Sequence, residues 1–108
     1  MKTKLIFKLE GEPEGFNAKL SPDCKVKITN KKGPLILNYE NRRIVGSYDN
    51  LRLEGEVILA DIELNDDLKL MEDRFQYSIS GKVLDHNDKN EGNLISVDAA
   101  VAIMNNKF

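Results

Sequence analysis

Two stretches of alternating residues, 75–83 and 95–103, constrain the fold of this chain more than any other feature of its sequence. In the first stretch apolar residues and a glycine occupy the odd positions, and polar residues lie between them. In the second stretch apolar residues again occupy the odd positions, and a turn-rich polar segment, residues 85–93, separates the two. Because successive side chains of a strand point to opposite faces, this pattern predicts a half-buried β-hairpin.

The same alternation restricts the register of the hairpin, because residues directly opposite each other point to the same face of a sheet. One register sets Val83 opposite Ile95. A shift of two residues instead sets Lys82 opposite Asp98, an opposite-charge pair worth ~0.2–1 kcal/mol. A shift of one residue would set apolar side chains against polar ones along the whole ladder, so the pattern excludes it.

Shorter alternating segments predict further strands earlier in the chain. They lie at residues 4–9, 25–28, 35–39, 44–53 and 58–64, with turns at residues 10–15, 30–34, 41–43 and 54–56. The alternation changes parity at Asp49 and Asn50, which requires a bulge or a tight turn. Residues 66–73 place acidic caps ahead of good helix formers and predict one short helix. We therefore expect a mainly β fold, a small antiparallel barrel or sandwich of about seven to eight strands with one short helix.

The length of 108 residues indicates one β-rich domain, residues 1–108, because half of it would be too small to bury a useful core without metals or disulfides. The single cysteine, Cys24, excludes an internal disulfide. Lys25 and Lys27 beside it favour a lowered thiol pKa. The chain has no second cysteine and no upstream histidine, so we expect no thiol chemistry.

Neither a secretion signal nor a membrane span is recognisable in the sequence. The basic start leads into the apolar residues 5–7, which Lys8 ends, far short of the usual apolar core of a signal or a span. We expect a soluble protein that is intracellular when made and has no membrane partner.

The formal net charge of −2 gives no overall attraction to nucleic acid, but the charges are unevenly distributed. Basic residues dominate between Lys19 and Arg43, and acidic residues dominate between Asp49 and Asp73. Solvated faces are the simpler interpretation. The alternative is that copies of the chain dock basic side to acidic side, since complementary potentials favour ordered association.

Metal and nucleic-acid sites are not supported by the residues present. Residues 85–91 resemble a calcium loop, but Lys89 and Asn90 replace a ligand and the required glycine. The only histidine, His86, is insufficient for a zinc site. We therefore expect no metal, no cofactor and no small-molecule substrate.

Two tyrosines, Tyr39 and Tyr48, flank Arg42 and Arg43, as in small barrels that bind single strands by base stacking. The acidic residues that follow them would repel phosphates. Binding to nucleic acid is therefore not the favoured prediction.

Serine nucleophile chemistry needs a base within hydrogen-bond reach of the hydroxyl. Ser78 and His86 are eight residues apart, which is roughly 26 Å along an extended strand at about 3.3 Å per residue. His86 would therefore serve Ser78 only if a partner chain supplied it.

Four segments follow one another in an order that has a parallel in a known family. They are Leu37-Asn38-Tyr39-Glu40 followed by Ile44-Val45-Gly46-Ser47, the acidic residues 51–64, Tyr77-Ser78-Ile79-Ser80-Gly81, and Val97-Asp98-Ala99-Ala100-Val101. This order resembles the prohead (capsid maturation) proteases of tailed bacteriophages. In that family an extended segment and an Ile-Gly turn precede an acidic hairpin, a nucleophile strand and a last strand with an acidic residue. The resemblance covers roughly residues 35–106.

The resemblance implies roles for three residues. Ser78 stands where the family has its nucleophile, Asp98 where it has an acid, and Tyr39 where it has its catalytic histidine. A phenol with a pKa of about 10 does not act as a base near neutrality. The resemblance therefore implies a reduced, non-catalytic version of the protease fold.

We predict a non-enzymatic phage or prophage protein that acts by protein–protein binding, as an accessory or structural piece in virion or capsid assembly. Its contact surfaces would be sheet edges and charged faces, its partner another protein or further copies of itself, and its location the host cytoplasm or the virion. Two alternatives stay open. One is a minimal serine protease of the prohead-protease type that uses Ser78, and the other is a small phage protein that binds and inhibits a host factor.

Overall fold

Seven strands and one short helix account for most of the protein in the computed structural model, which describes residues 1–104 apart from the side chain of Asn41. The strands are β1 Lys2–Lys8, β2 Leu20–Ile28, β3 Gly33–Leu37, β4 Glu40–Glu54, β5 Val57–Leu64, β6 Phe75–His86 and β7 Gly92–Met104. A 3₁₀ helix, Asp66–Arg74, connects β5 to β6. Residues 105–108, the end of the predicted domain and of the segment that resembles prohead proteases, lie outside the described residues.

The strands form one sheet, in which β7 is the central strand. The order is β1-β5-β4-β3-β7-β2, and β6 pairs with β7 as well. β6 runs antiparallel to β7 along one edge, whereas β2 and β3 share the other edge, β2 beside its first half and β3 beside its second. Both β2 and β3 run parallel to β7.

The predicted mainly β fold, with seven strands and one short helix, is confirmed. Two details differ from the prediction: the sheet is mixed rather than antiparallel, and it does not close into a barrel. The parallel pairs arise because the turn between β2 and β3 carries the chain forward along β7 without reversing it. All seven strands and Phe16 contribute to one hydrophobic core. Within residues 1–104, no helix is long and apolar enough to cross a membrane.

The β6–β7 hairpin is confirmed, but only residues 81–83 and His86 of β6 pair in a predicted register. Next to the turn, Val83 pairs with Ile95, as in the first of the two predicted registers. Farther from the turn the pairing is offset by one residue, so that Ile79 faces Ala100. The prediction that excluded a one-residue offset is therefore wrong for residues 75–80 and for Asp85, which pairs with Leu94.

A bulge in β7 at Asp98 produces this offset. Ser80 pairs with Ala99 and Gly81 pairs with Val97, which leaves Asp98 without a partner on β6. The predicted Lys82–Asp98 pair therefore does not form. Beyond the bulge, residues 100–102 are all 0% exposed, so both faces of β7 are buried there, and alternation no longer identifies a single inward face.

Asn38 and Tyr39 form the turn between β3 and β4. Both have positive φ, 53° and 63°, as a type I′ hairpin turn requires. The turn predicted at residues 41–43 is wrong, because those residues already belong to β4. Tyrosine rarely adopts positive φ, so the local sequence does not mark this turn. A distant contact stabilises it, since the Asn38 N–H donates to the Ala102 carbonyl at 2.8 Å.

The parity change at Asp49 and Asn50 is a bulge rather than a turn. β4 continues through it, its register with β5 shifts between Asp49 and Arg52, and Asn50 has a φ of 53°. The turn predicted at residues 54–56 is confirmed, with Gly55 at a φ of 62°.

Gly81, next to the β7 bulge, has no room for a side chain. A Cβ there would overlap the carbonyl oxygen of Ser96, a backbone atom, and would lie 3.2 Å from the Phe16 ring. We expect Gly81→Ala to destabilise the protein by about 1–3 kcal/mol through overpacking, measured by urea unfolding. The exposed neighbour provides the control, since Lys82→Ala should change stability by no more than about 0.5 kcal/mol. Equal stabilities for the two variants would contradict the close approach of β6 and β7.

Candidate functional site

Ser78 lies at the middle of β6 with apolar neighbours. In the register it faces Val101 of β7, which in turn faces Ile36 of β3. Its hydroxyl has no hydrogen-bond partner in the described part of the chain. His86 lies at the exposed end of the same strand, where its backbone N–H, not its imidazole ring, donates to the Asp85 carboxylate at 3.0 Å. The two residues are thus separated along one extended strand.

Asp98 faces away from Ser78. Its carboxylate accepts a hydrogen bond of 2.6 Å from the hydroxyl of Thr29. Thr29 directly follows β2, which lies along the edge of β7 opposite to β6. Ser78 pairs with Val101, three residues farther along β7, which places it roughly 10 Å from Asp98 along the strand. The structure therefore does not bring together Ser78 and Asp98, the nucleophile and the acid that the protease resemblance implies.

Of the other two residues to which the protease resemblance assigns a role, Tyr39 is the one that lies close to Ser78. Its hydroxyl donates to the carbonyl oxygen of Ile79, the next residue of β6, at 3.3 Å. The bond links the tip of the β3–β4 hairpin to β6, and its acceptor is a backbone atom rather than the serine hydroxyl. Tyr39 thus has a structural contact at the place where the family has a base.

The tyrosines are not arranged for stacking with bases. Tyr48 is 3% exposed, and its hydroxyl lies 3.3 Å from the carbonyl oxygens of Asn30 and Asp98. Burial, and secondly the Asp98 charge, raise the pKa of Tyr48. Tyr39 is half-buried. Because base stacking needs exposed rings, this arrangement does not favour the nucleic-acid interpretation.

The turn between β6 and β7 is organised by Asn87. Its side-chain oxygen accepts hydrogen bonds from the backbone N–H groups of Lys89 and Glu91, both at 2.9 Å, and its amide donates to the Glu91 carboxylate at 3.0 Å. Such Asx-type contacts stabilise turns. Within residues 1–104, no group of three or more His, Cys, Asp or Glu side chains is placed to hold a metal ion.

Cys24 does not have an activated thiol. It is half-buried on β2, and burial raises the pKa of the thiol. The thiol donates to the carbonyl oxygen of Lys25 at 3.6 Å. The predicted lowering of its pKa by Lys25 and Lys27 is therefore wrong, because both ammonium groups lie on exposed side chains and desolvation dominates.

A cleft opens where the partner of β7 changes from β2 to β3. Its lining includes the bulged Asp98 and the buried Tyr48, together with Asn30, Lys32, Gly33, Pro34, Ile36 and Ala99. Thr29 and Asn30 occupy one side by bonding to the carboxylate and the carbonyl of Asp98. The cleft therefore lies at a break in the sheet. On one side of it, side-chain hydrogen bonds to Asp98 take the place of strand pairing.

The acidic residues between Asp49 and Asp73 are partly compensated within the chain, since Glu54, Asp61, Glu63, Asp66 and Glu72 form ion pairs. Glu72 is paired with Lys2 and Lys4, at 3.3 and 3.1 Å. Glu63 is paired with the N-terminal amine and Lys69, at 3.4 and 3.1 Å. Hydrogen bonds from Lys4 to Glu72 and from Lys69 to Glu63 lower the pKa of both carboxyls. The predicted acidic face thus retains much less free charge than its composition indicates.

The basic residues of β2 have no such compensation. Lys25 and Lys27 are exposed and have no ion pair in the part of the chain that the structure describes. Lys27 faces Ser96 of β7, and Ser96 faces Lys82 of β6, so one row of the sheet carries two lysines. We call the unpaired side of residues 25–28 the basic edge.

The basic edge is the best candidate for a functional site, because it combines unpaired backbone groups with uncompensated charge. The composition of residues 19–43 pointed to its charge, but not to its place at the end of the sheet. Comparison of the chain with family models, with curated proteins and with solved structures gives no match.

The paired carboxylates predict a specific sensitivity to acid. Because Glu72 has a lowered pKa in the folded state, its contribution to stability is complete above its unfolded-state pKa and is lost as the pH falls through the folded-state value. We expect Glu72→Gln to lower the urea midpoint at about pH 7, and the difference in midpoint from the parent protein to shrink as the pH falls below about 4, the ordinary pKa of a glutamate.

The neighbouring Asp73, which is exposed, provides the matched control. Asp73→Asn should change the urea midpoint, relative to the parent protein, by less than Glu72→Gln does across the same pH range. Adding salt to about 1 M should reduce the Glu72→Gln effect by screening. A gap that does not change with pH would show that Glu72 acts through packing and not through its charge.

Proposed function

We propose that this protein is non-catalytic and works by binding another protein, as an accessory or structural component in the assembly of a phage or prophage particle. The observation that carries the binding role is the basic edge, where a strand at the end of the sheet has exposed lysines that form no ion pair with any other described residue. Sheet edges are common sites of protein recognition. The order of segments that resembles the prohead proteases supports the phage or prophage setting.

The geometry around Ser78 supports a role other than catalysis. A serine nucleophile needs a base that accepts its proton and a group that orients the base. Ser78 pairs with Val101, which pairs in turn with Ile36, and the Tyr39 phenol donates to the backbone carbonyl of the adjacent Ile79 rather than to the serine. This arrangement supports binding over the protease alternative.

We expect Ser78 to be chemically ordinary. Incubation with a fluorophosphonate probe should label neither the parent protein nor Ser78→Ala, and prolonged incubation should show no self-cleavage that the substitution removes. Ser80→Ala, two residues along the same strand, is the matched control. Labelling that disappears in Ser78→Ala but persists in Ser80→Ala would establish the protease alternative.

The assembly role is tested in cells that carry the gene. After induction, particles purified on a density gradient should contain the protein in a constant ratio to the major capsid protein, and deletion of the gene should lower the yield of intact particles. Recovery of the protein only with a host protein, and never with particles, would instead support the host-factor inhibitor.

A further inference from the structure

We infer that the basic edge binds an extended acidic segment of a partner protein, which adds to the sheet as one more strand beside β2. The inference rests on the proposed function, because it gives the chemistry of the partner that the binding protein would take. The binding site consists of residues 25–28 of β2, and its chemistry comes from the outward backbone groups, the half-buried apolar side chains and the exposed lysines of that segment.

The backbone of β2 offers hydrogen-bonding groups on its outer side. Thr29 donates its N–H to the Val97 carbonyl at 3.0 Å, so the peptide groups of Lys25 and Lys27 point to β7 as well. Peptide groups alternate in direction along a strand, and those of Val26 and Ile28 therefore point away from β7. In the described chain no strand pairs with this side of β2. A cleft separates residues 21–24 from Leu53, Gly55 and Glu56, and residues 25–28 do not line it.

The side chains of β2 specify what a strand placed there would need. Val26 and Ile28 are half-buried against the core, and Lys25 and Lys27 are exposed on the opposite face. Paired residues share a face, so a complementary strand has apolar residues beside the valine and isoleucine. It has acidic residues beside the lysines, which lack carboxylate partners within residues 1–104.

A second copy of the chain is not the expected occupant. Two basic edges placed side by side over residues 25–28 would oppose lysine to lysine, which is unfavourable. A register shifted to set Lys25 opposite Asp23 avoids this, but it leaves Lys27 without a carboxylate and sets Val26 beside Pro22, which has no N–H to donate. The segment of this chain that best combines alternation with acidic residues is β5, Val57–Leu64, and it is already paired on both edges, with β1 and with β4. The partner is therefore a different protein with an exposed, alternating acidic and apolar segment.

Lysines also occur on edge strands simply to prevent aggregation, and the experiment separates that role from binding. A fluorescein-labelled peptide of alternating glutamate and valine, about eight residues long like an ordinary strand, is titrated against the full chain by fluorescence anisotropy. A peptide of alternating lysine and valine is the control ligand. We expect saturable binding of the glutamate peptide and none of the lysine peptide.

Charge-reversal variants test the position of the site. Lys25→Glu with Lys27→Glu should weaken binding of the glutamate peptide by about tenfold or more and produce binding of the lysine peptide. Lys31→Glu with Lys32→Glu makes the same change in net charge on the neighbouring turn and should have little effect. An equal loss in both variants would overturn the inference, because the attraction would then be a general effect of charge.

The backbone is tested independently of charge. Val26→Pro removes an N–H that points away from β7, so the fold should persist, verified by circular dichroism and urea unfolding, while binding of the peptide is lost. In the parent protein, saturating peptide should shift the amide resonances of Val26 and Ile28 and slow their hydrogen exchange. Unchanged exchange at both amides would overturn strand addition whatever the outcome of the Val26→Pro variant.

The remaining outcome is that the basic edge binds a polyanion of another class. Single-stranded DNA that competes with the peptide at similar concentration, with a steep dependence on salt, would overturn the inference in favour of a nucleic-acid surface. Failure of the peptide experiments would leave the proposed function standing, because particles can recruit the protein through another face. Failure of the particle experiments would leave the peptide result unaffected.

Discussion

Backbone hydrogen bonding along both edges of β7 is the constraint on which the rest of this structure depends. β6 occupies one edge over its whole length, and the other is divided between β2 and β3. Beyond Asp98 both faces of β7 are covered as well, and the small residues Ala100 and Ala102 are fully buried there. Next to the bulge, Gly81 of β6 lies so close to the backbone of Ser96 that no side chain fits.

The division of that edge and the bulge at Asp98 occur at the same place in β7. Val97 is the last residue that pairs with β2, and Val101 is the first that pairs with β3. The intervening residues have no strand beside them on this edge, and Thr29, Asn30 and Tyr48 supply hydrogen bonds instead. The bulge therefore directs the carboxylate toward β2 and away from the strand that carries the serine.

The distribution of charge follows from the same arrangement. β1 and the 3₁₀ helix lie at the far end of the sheet from β2, and there lysines and carboxylates pair with one another. The lysines of β2 have neighbours that are apolar or neutral in the register, such as Leu94 and Ser96. A net charge of −2 thus coexists with two exposed lysines on β2 that have no ion pair within residues 1–104, although Asp23 precedes them on the same strand. The local pairing of charges, rather than the net charge of the whole chain, decides which face attracts a partner.

Local pattern was sufficient for the strands and turns that are half-buried or carry strong turn residues. The β6–β7 hairpin, the turn at Gly55, the helix after β5 and the irregularity at Asp49 and Asn50 all follow from residues close together in the chain. The separation of Ser78 from His86 was also predictable, because both lie on one extended strand and the distance along a strand depends only on residue count.

The tertiary structure decided whatever depends on residues far apart in sequence. Alternation identifies a face only when one face is buried, so it failed beyond Asp98, where β7 is enclosed on both sides. The parallel pairing of β2, the turn at Tyr39 and the compensation of Glu72 by lysines of β1 all need partners that no local pattern specifies. The pKa of Cys24 likewise depends on burial by distant residues rather than on the adjacent lysines. The sequence by itself determined that this is a β protein with basic residues around β2, and only the fold decided that Lys25 and Lys27 lie on a strand at the end of the sheet, without an ion pair in the described part of the chain.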